Sequence, residues 1–212
     1  MASNLDTVVL LSGSGTTFQN LYDLSRQGVL AANIKGVIAS RPDAFGIQRA
    51  RSAGIPARVV NRKDFLDAQA FSDQVVKMLR AIKPDLVVMA GWMCLLHLPE
   101  FYIGKTINIH PALLPKFGGQ GMYGINVHKA VIQAGAKESG CTVHYVNNEY
   151  DDGPIILQRK VAVESDDTPE TLQNRVQVIE REAYPEAINM IADGRVRFEE
   201  GQAVFADTVA SA

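Results

Sequence analysis

Thr7-Val8-Val9-Leu10-Leu11, running straight into Ser12-Gly13-Ser14-Gly15-Thr16-Thr17, is the stretch whose reading decides the fold. A continuous apolar run marks a strand buried on both faces, as in a parallel sheet covered by helices. Beyond the glycines, Phe18, Leu21, Tyr22 and Ser25 recur at helical spacing. Strand, glycine-rich turn and helix together aim backbone N–H groups at a phosphate held at the helix N-terminus. The pattern is not a dinucleotide site. Its third glycine position holds Phe18, and the second strand, 34–39, runs into Ser40-Arg41 with no acid to take a ribose. The dinucleotide fingerprint needs both features. The loop therefore reads as a cradle for a single phosphate, with a plain tight turn as the alternative.

The alternation of strand and helix continues outward. A helix is expected over 44–53, a short strand over 57–60, and a helix carrying Phe71, Val75, Met78, Leu79 and Ile82, stopped by Pro84. Asp85-Leu86-Val87-Val88-Met89-Ala90 is a further buried strand. Thr106-Ile107-Asn108-Ile109-His110-Pro111 alternates, so Asn108 and His110 share one face and Ile107 and Ile109 the other. Strands joined by helical crossovers imply an α/β fold with a doubly wound, mostly parallel sheet. Cys141-Thr142-Val143-His144-Tyr145-Val146 and the run 154–163 follow each other without a helix, which adds antiparallel strands to the C-terminal part. One domain over 1–212 is expected: a phosphate-binding half over about 7–100, a catalytic half over about 101–198, and a frayed tail over about 199–212.

Ligands of such sheets bind at the carboxyl ends of the strands, near the point where the strand order reverses. The phosphate loop, His110 and the apolar loop Gly91-Trp92-Met93-Cys94-Leu95-Leu96 all fall on that edge. An apolar loop at a site suits a flat heterocycle; packing beneath its own helix is the alternative. An amide next to an imidazole suits oxyanion stabilisation and proton movement. Residues 115–124 are dense in glycine and read as a mobile loop or lid, followed by a helix over 126–134. The turn 147–153 holds Asp151 and Asp152, and a carboxylate close to His110 would favour the charged ring. Thr168-Pro169-Glu170 starts a helix whose buried stripe is Leu172, Val176, Ile179 and Ala183. Glu180 lies at the margin of that stripe, facing either a cleft or solvent.

The balance of 21 basic against 23 acidic residues, net −2, favours neither nucleic acid nor anionic membrane as partner. Two cysteines, outside any CxxC, suit a reduced cytoplasm and give no metal site. Neither a signal peptide nor an apolar span of about 18 residues is expected.

Ser12-Gly13-Ser14-Gly15, Asn108-Ile109-His110-Pro111-Ala112-Leu113-Leu114-Pro115 and Asp151-Asp152-Gly153-Pro154-Ile155-Ile156 resemble the phosphoribosylglycinamide formyltransferases, over about 8–195. The Asn-x-His-Pro stretch with a later Asp-x-Gly is shared by formyltransferases generally, and the Ser-Gly-x-Gly loop narrows the likeness. The resemblance implies formyl transfer from 10-formyltetrahydrofolate to the amine of 5′-phosphoribosylglycinamide, in purine synthesis, without a metal. It implies Asn108, His110 and Asp151 as the catalytic trio. Gly15, Thr16 and Thr17 would hold the substrate phosphate, in a loop shared with Ser12 and Gly13. Pro111 would lie against the same substrate, and Glu180 would hold the ribose hydroxyls. Trp92, Met93, Cys94, Leu95 and Leu96 would receive the pterin, with the turn residues Asn147, Asn148, Glu149 and Tyr150. Thr17 replaces a common asparagine, Cys94 a frequent arginine and Trp92 a phenylalanine. The lid is several residues longer than in many relatives. A hydrolase of 10-formyltetrahydrofolate, or a formyltransferase with another amine acceptor, is the alternative, and the chain would act as a monomer or homodimer.

Overall fold

A computed structural model describes residues 4–206. Its main sheet has seven strands in the order β3-β2-β1-β4-β5-β6-β7. These are β1 (Leu5–Leu11), β2 (Ala32–Ala39), β3 (Ala57–Val59), β4 (Leu86–Met89), β5 (Thr106–His110), β6 (Glu138–Tyr145) and β7 (Ile155–Ala162). The first five run parallel, while β6 is antiparallel to both β5 and β7. The order reverses between β1 and β4, as the doubly wound reading requires.

The apolar run of β1 is buried on both faces, and the alternation of its side chains separates them. Val9 and Leu11 join a core with α1 (Thr16–Arg26), α2 (Gly46–Ser52), α4 (Ile125–Gln133) and α5 (Pro169–Ala192). Val8 and Leu10 join a second core with α3 (Ala68–Ile82) and with Leu96, Leu98 and Tyr102. Each such fully buried Val or Leu contributes about 1.5–3 kcal/mol, so β1 anchors both layers.

Two expectations are corrected. The crossover from β4 to β5 is not an α-helix: the chain passes through the apolar loop and a single 3₁₀ turn, Glu100–Tyr102. Leu96, Leu98 and Tyr102 supply from that loop the cover a helix would give, which explains its hydrophobicity. The tail expected to fray from residue 199 instead pairs over 202–205: β8 (Val196–Glu199) and β9 (Gln202–Phe205) form an antiparallel hairpin. The end of the expected tail, 207–212, lies outside the described residues.

Local chemistry sets the helix ends. In α5, Thr168 Oγ1 accepts from the Thr171 N–H at 3.2 Å, and Thr171 Oγ1 accepts from the Thr168 N–H at 2.9 Å. Pro185 sits inside α5 and has no N–H for the carbonyl four residues earlier. That carbonyl, of Arg181, accepts from Asn20 Nδ2 of α1 at 2.9 Å. By contrast, α1 and α4 begin on Gly15 and Gly124 with no side chain capping them.

Candidate active site

The carboxyl ends of β1, β4 and β5 open into a cleft of about 550 Å³ that collects most of the expected residues. Its glycine-rich side, expected to cradle a phosphate, is made by Gly13, Ser14, Gly15, Thr16 and Thr17. Gly15 adopts φ 72°, and a Cβ there would lie 2.5 Å from the Cα of Gly46. No other residue fits that turn. The first turn of α1, whose Thr16 and Thr17 line the cleft, thus begins with no side chain capping its N–H groups. Ser12 is placed differently from expectation. It is buried, and its hydroxyl accepts from Ser40 Oγ at 2.6 Å and from the Met93 N–H at 3.0 Å. It ties the phosphate loop to β2 and to the apolar loop instead of facing a ligand.

The side expected to be catalytic is built from side chains. Asn108 and His110 project from β5 into the cleft, while Ile107 and Ile109 enter the core. His110 Nε2 donates to the Phe117 carbonyl at 2.8 Å, and Nδ1 lies 3.4 Å from Asp151 Oδ2. Both neighbours are acceptors, so each ring nitrogen faces a group that can take a hydrogen bond from it. Asp151 stands in the left-handed region at φ 53° and also accepts from the Gly119 N–H at 3.0 Å. A Cβ on Gly153 would sit 1.8 Å from the Tyr145 carbonyl oxygen, so the turn that presents Asp151 needs that glycine. Asp152 points away and accepts from Asn147 Nδ2 at 3.0 Å. Of the two acids, geometry brings Asp151 to the histidines.

A further histidine, not anticipated, completes this cluster. His144 faces Asn108 across the antiparallel pair β5–β6. Its Nδ1 donates to the Tyr145 carbonyl at 2.8 Å, and burial pulls its pKa below the ordinary value. The neutral ring is left with a bare Nε2, which accepts from Asn108 Nδ2 at 3.2 Å. One amide N–H of Asn108 is thereby fixed and the other is left for the cleft. The alternation of 141–146 carried the signal, but only the register of β6 on β5 reveals the pairing.

The third wall is apolar. Trp92, Met93, Cys94, Leu95 and Leu96 all line the cleft, with Asn147, Glu149 and Tyr150 from the turn. Trp92 stacks on Phe71 at 5.7 Å and 18°, and its indole N–H is buried without a partner. Burial pushes the Cys94 thiol up, which makes it a poor nucleophile. Asn148 does not face the cleft: its amide accepts from the Leu98 N–H at 2.7 Å and donates to the Leu98 carbonyl at 3.3 Å, closing the apolar loop.

Glu180 and Pro111 also line the cleft. Glu180 is half-buried on α5, and burial pushes its carboxyl up to about 7. Gln173 and Gln177 line the same wall and were not anticipated, although their spacing with Glu180 traces one helical stripe. The glycine-rich segment contributes Gly119, Gln120, Gly121, Met122, Tyr123 and Gly124. Among the described residues, no group of three or more His, Cys, Asp or Glu side chains could hold a metal ion, and no helix is long and apolar enough to cross a membrane.

Residues 5–188 match the family described as Formyl transferase. The phosphoribosylglycinamide formyltransferase of Escherichia coli is 36% identical over 202 residues, covering 94% of this chain and 92% of that one. The trifunctional purine biosynthetic protein adenosine-3 of Bos taurus is 40% identical over 194 residues, but this chain spans only 19% of it. The crystal structure of glycinamide ribonucleotide transformylase 1 from Symbiobacterium toebii superimposes with a TM-score of 0.87 at 38% identity, covering 96% of this chain and 94% of that one. A formyltetrahydrofolate deformylase from Pseudomonas syringae has a TM-score of 0.83 at 25% identity, with 97% of this chain and 67% of that chain covered. With a matching profile over most of its length and a cleft of this composition, the chain belongs to the formyl transferase family and, within it, to the phosphoribosylglycinamide formyltransferases.

Proposed function

We propose that the protein transfers the formyl group of 10-formyltetrahydrofolate to the amine of 5′-phosphoribosylglycinamide, as a step of purine synthesis. One observation carries this reading: Asn108, His110 and Asp151 meet in one cleft between an uncapped helix N-terminus and an apolar wall. The N–H groups of Gly15, Thr16 and Thr17 suit a phosphate, and Glu180 suits the ribose hydroxyls. Trp92 to Leu96, with Asn147, Glu149 and Tyr150, suit the pterin, whose polar edge could also occupy the unpartnered indole N–H of Trp92. Free Cys94 and Cys141 support placing the protein in a reducing cytoplasm. The partners this cleft supports are two small molecules.

In this scheme the acceptor amine forms a bond to the formyl carbon while the bond from that carbon to the folate nitrogen breaks. The free N–H of Asn108 and the charged ring of His110 stabilise the negative charge that develops on the formyl oxygen. Asp151 keeps that ring charged and oriented. The proton lost by the amine passes to the departing nitrogen with His110 as carrier. Because the Phe117 carbonyl occupies His110 Nε2, that contact would have to open for the ring to reach the formyl oxygen through Nε2, whereas Asp151 can accept from Gly119 and His110 together.

Purified protein is expected to form formylated product from both substrates, and His110→Ala to lower turnover about 10²–10³-fold in a folded variant. Near-wild-type turnover in that variant would remove the mechanism. Identity of 36% to the transferase against 25% to the deformylase supports transfer over hydrolysis, and formate release without an acceptor amine would reverse that preference.

A further inference from the structure

His128 is a buried titratable side chain on the cleft wall that the scheme above leaves without a task. It sits in α4, 1% exposed, and borders the same cleft as His110. Its Nδ1 is buried with no hydrogen-bond partner. Burial, with the nearby His110 ring as a second cause, pulls it down to about 4, so the ring is neutral, with one N–H and one lone pair. An unpaired polar atom in the interior is destabilising, and an apolar side chain of similar volume would fill the space without that penalty. A group kept at such a cost on the wall of a cleft fits one whose partner arrives with the ligand.

The position of α4 narrows the choice of ligand. α4 packs against α5, and its Val131 lies in the core that includes α1 and α5. The apolar loop belongs to the opposite core, with α3. His128 therefore stands on the side of Glu180 and the phosphate loop. A neutral ring offers one donor and one acceptor, and a carboxamide can meet both, through its carbonyl and its N–H; a phosphate dianion could meet only the donor, and an apolar ring neither. The first turn of α4 begins at Gly124 without a side-chain cap, so backbone donors lie open beside it.

We infer that His128 binds the carboxamide of the phosphoribosyl acceptor and so holds its amine toward Asn108 and His110, an inference that rests on the function proposed above. Two variants of the full chain test it, His128→Phe and His128→Asn, each by thermal unfolding and steady-state kinetics. The Phe variant is expected to keep or raise Tm while KM for phosphoribosylglycinamide rises about tenfold and KM for the folate stays within twofold. The Asn variant, which can donate and accept, is expected to return KM to within about threefold of wild type. An unchanged acceptor KM in the Phe variant, or equal rises for both substrates, would overturn the role. Should the Phe variant fail to fold, ¹⁵N-histidine resonances of the wild type decide: the His128 ring nitrogens are expected to shift on adding phosphoribosylglycinamide and to stay put with a folate analogue. No shift with the acceptor overturns the inference. A wild type that transfers nothing to this acceptor overturns the proposed function as well, whereas transfer with an unmoved acceptor KM removes only the part given to His128.

Discussion

The two ends of the cleft are made of different materials. The end proposed for the phosphate is backbone: a turn that only Gly15 can make and the uncapped N–H groups of α1. The end proposed for catalysis is side chain upon side chain, with His144 holding Asn108, and Asp151 shared between His110 and the Gly119 N–H. A backbone site depends on conformation and tolerates exchange of what projects from it. A side-chain site depends on identity, and loses function when one atom is removed. Thr17 falls at the tolerant end, and Asn108, His110 and Asp151 at the exacting one.

The sharpest way to break this contrast is Asn108→Ala. It removes a donor from the reaction and leaves His144 Nε2 without its partner. Turnover is expected to fall about 10²–10³-fold with KM for the acceptor little changed. A fall below tenfold, measured by product formation under saturation, would show that the backbone end carries more of the reaction.

Glu180 lies between these extremes, a side chain whose charge state is set by its surroundings. Its carboxyl is raised from 4.5 to about 7 in the folded protein. A raised carboxyl favours folding in its protonated form, so its stabilising contribution is complete below about pH 4.5 and is lost as pH rises through about 7. Glu180→Gln should remove this loss. Thermal unfolding of the two proteins at pH 5 and pH 8 is expected to give a variant that gains on wild type by about 1 kcal/mol at the higher pH, after allowance for solvent in the cleft. A gap that does not grow with pH would place Glu180 in a wetter environment than its burial indicates.

The smallest change belongs to Thr17→Ala. If N–H groups supply the phosphate contact, loss of the hydroxyl should raise KM for the acceptor less than about threefold. A tenfold rise would make the phosphate end a side-chain site after all.

Much of this architecture was legible in the order of residues, for reasons that differ by element. The apolar run of β1 and the glycines behind it imposed both the parallel sheet and the loop, since periodicity and turn chemistry are local. Asn108 and His110 were readable as a pair because alternation along a strand leaves no choice of face. His144 was not, because its role depends on which strand lies beside β5 and in what register. The resemblance assigns Ser12 and Asn148 to ligands, yet the Ser12 hydroxyl accepts from Ser40 Oγ and the Met93 N–H, and the Asn148 amide is taken up by the Leu98 backbone. A side chain at a loop end turns toward whichever donor is unsatisfied nearby, and sequence spacing does not record that demand. The crossover after β4 looked helical by rule, whereas its Leu96, Leu98 and Tyr102 cover the sheet without a helix.

The proline in the middle of α5 has a consequence for measurement at molecular scale. The carbonyl it frees on Arg181 adjoins Glu180, and the amide that claims it, from Asn20, belongs to the helix launched by the phosphate loop. One hydrogen bond thus works like the locking screw of a calliper, with one jaw at the Gly15 turn and the other at Glu180. Under the proposed function, the length of acceptor that fits between them would be gauged by a contact outside the cleft lining.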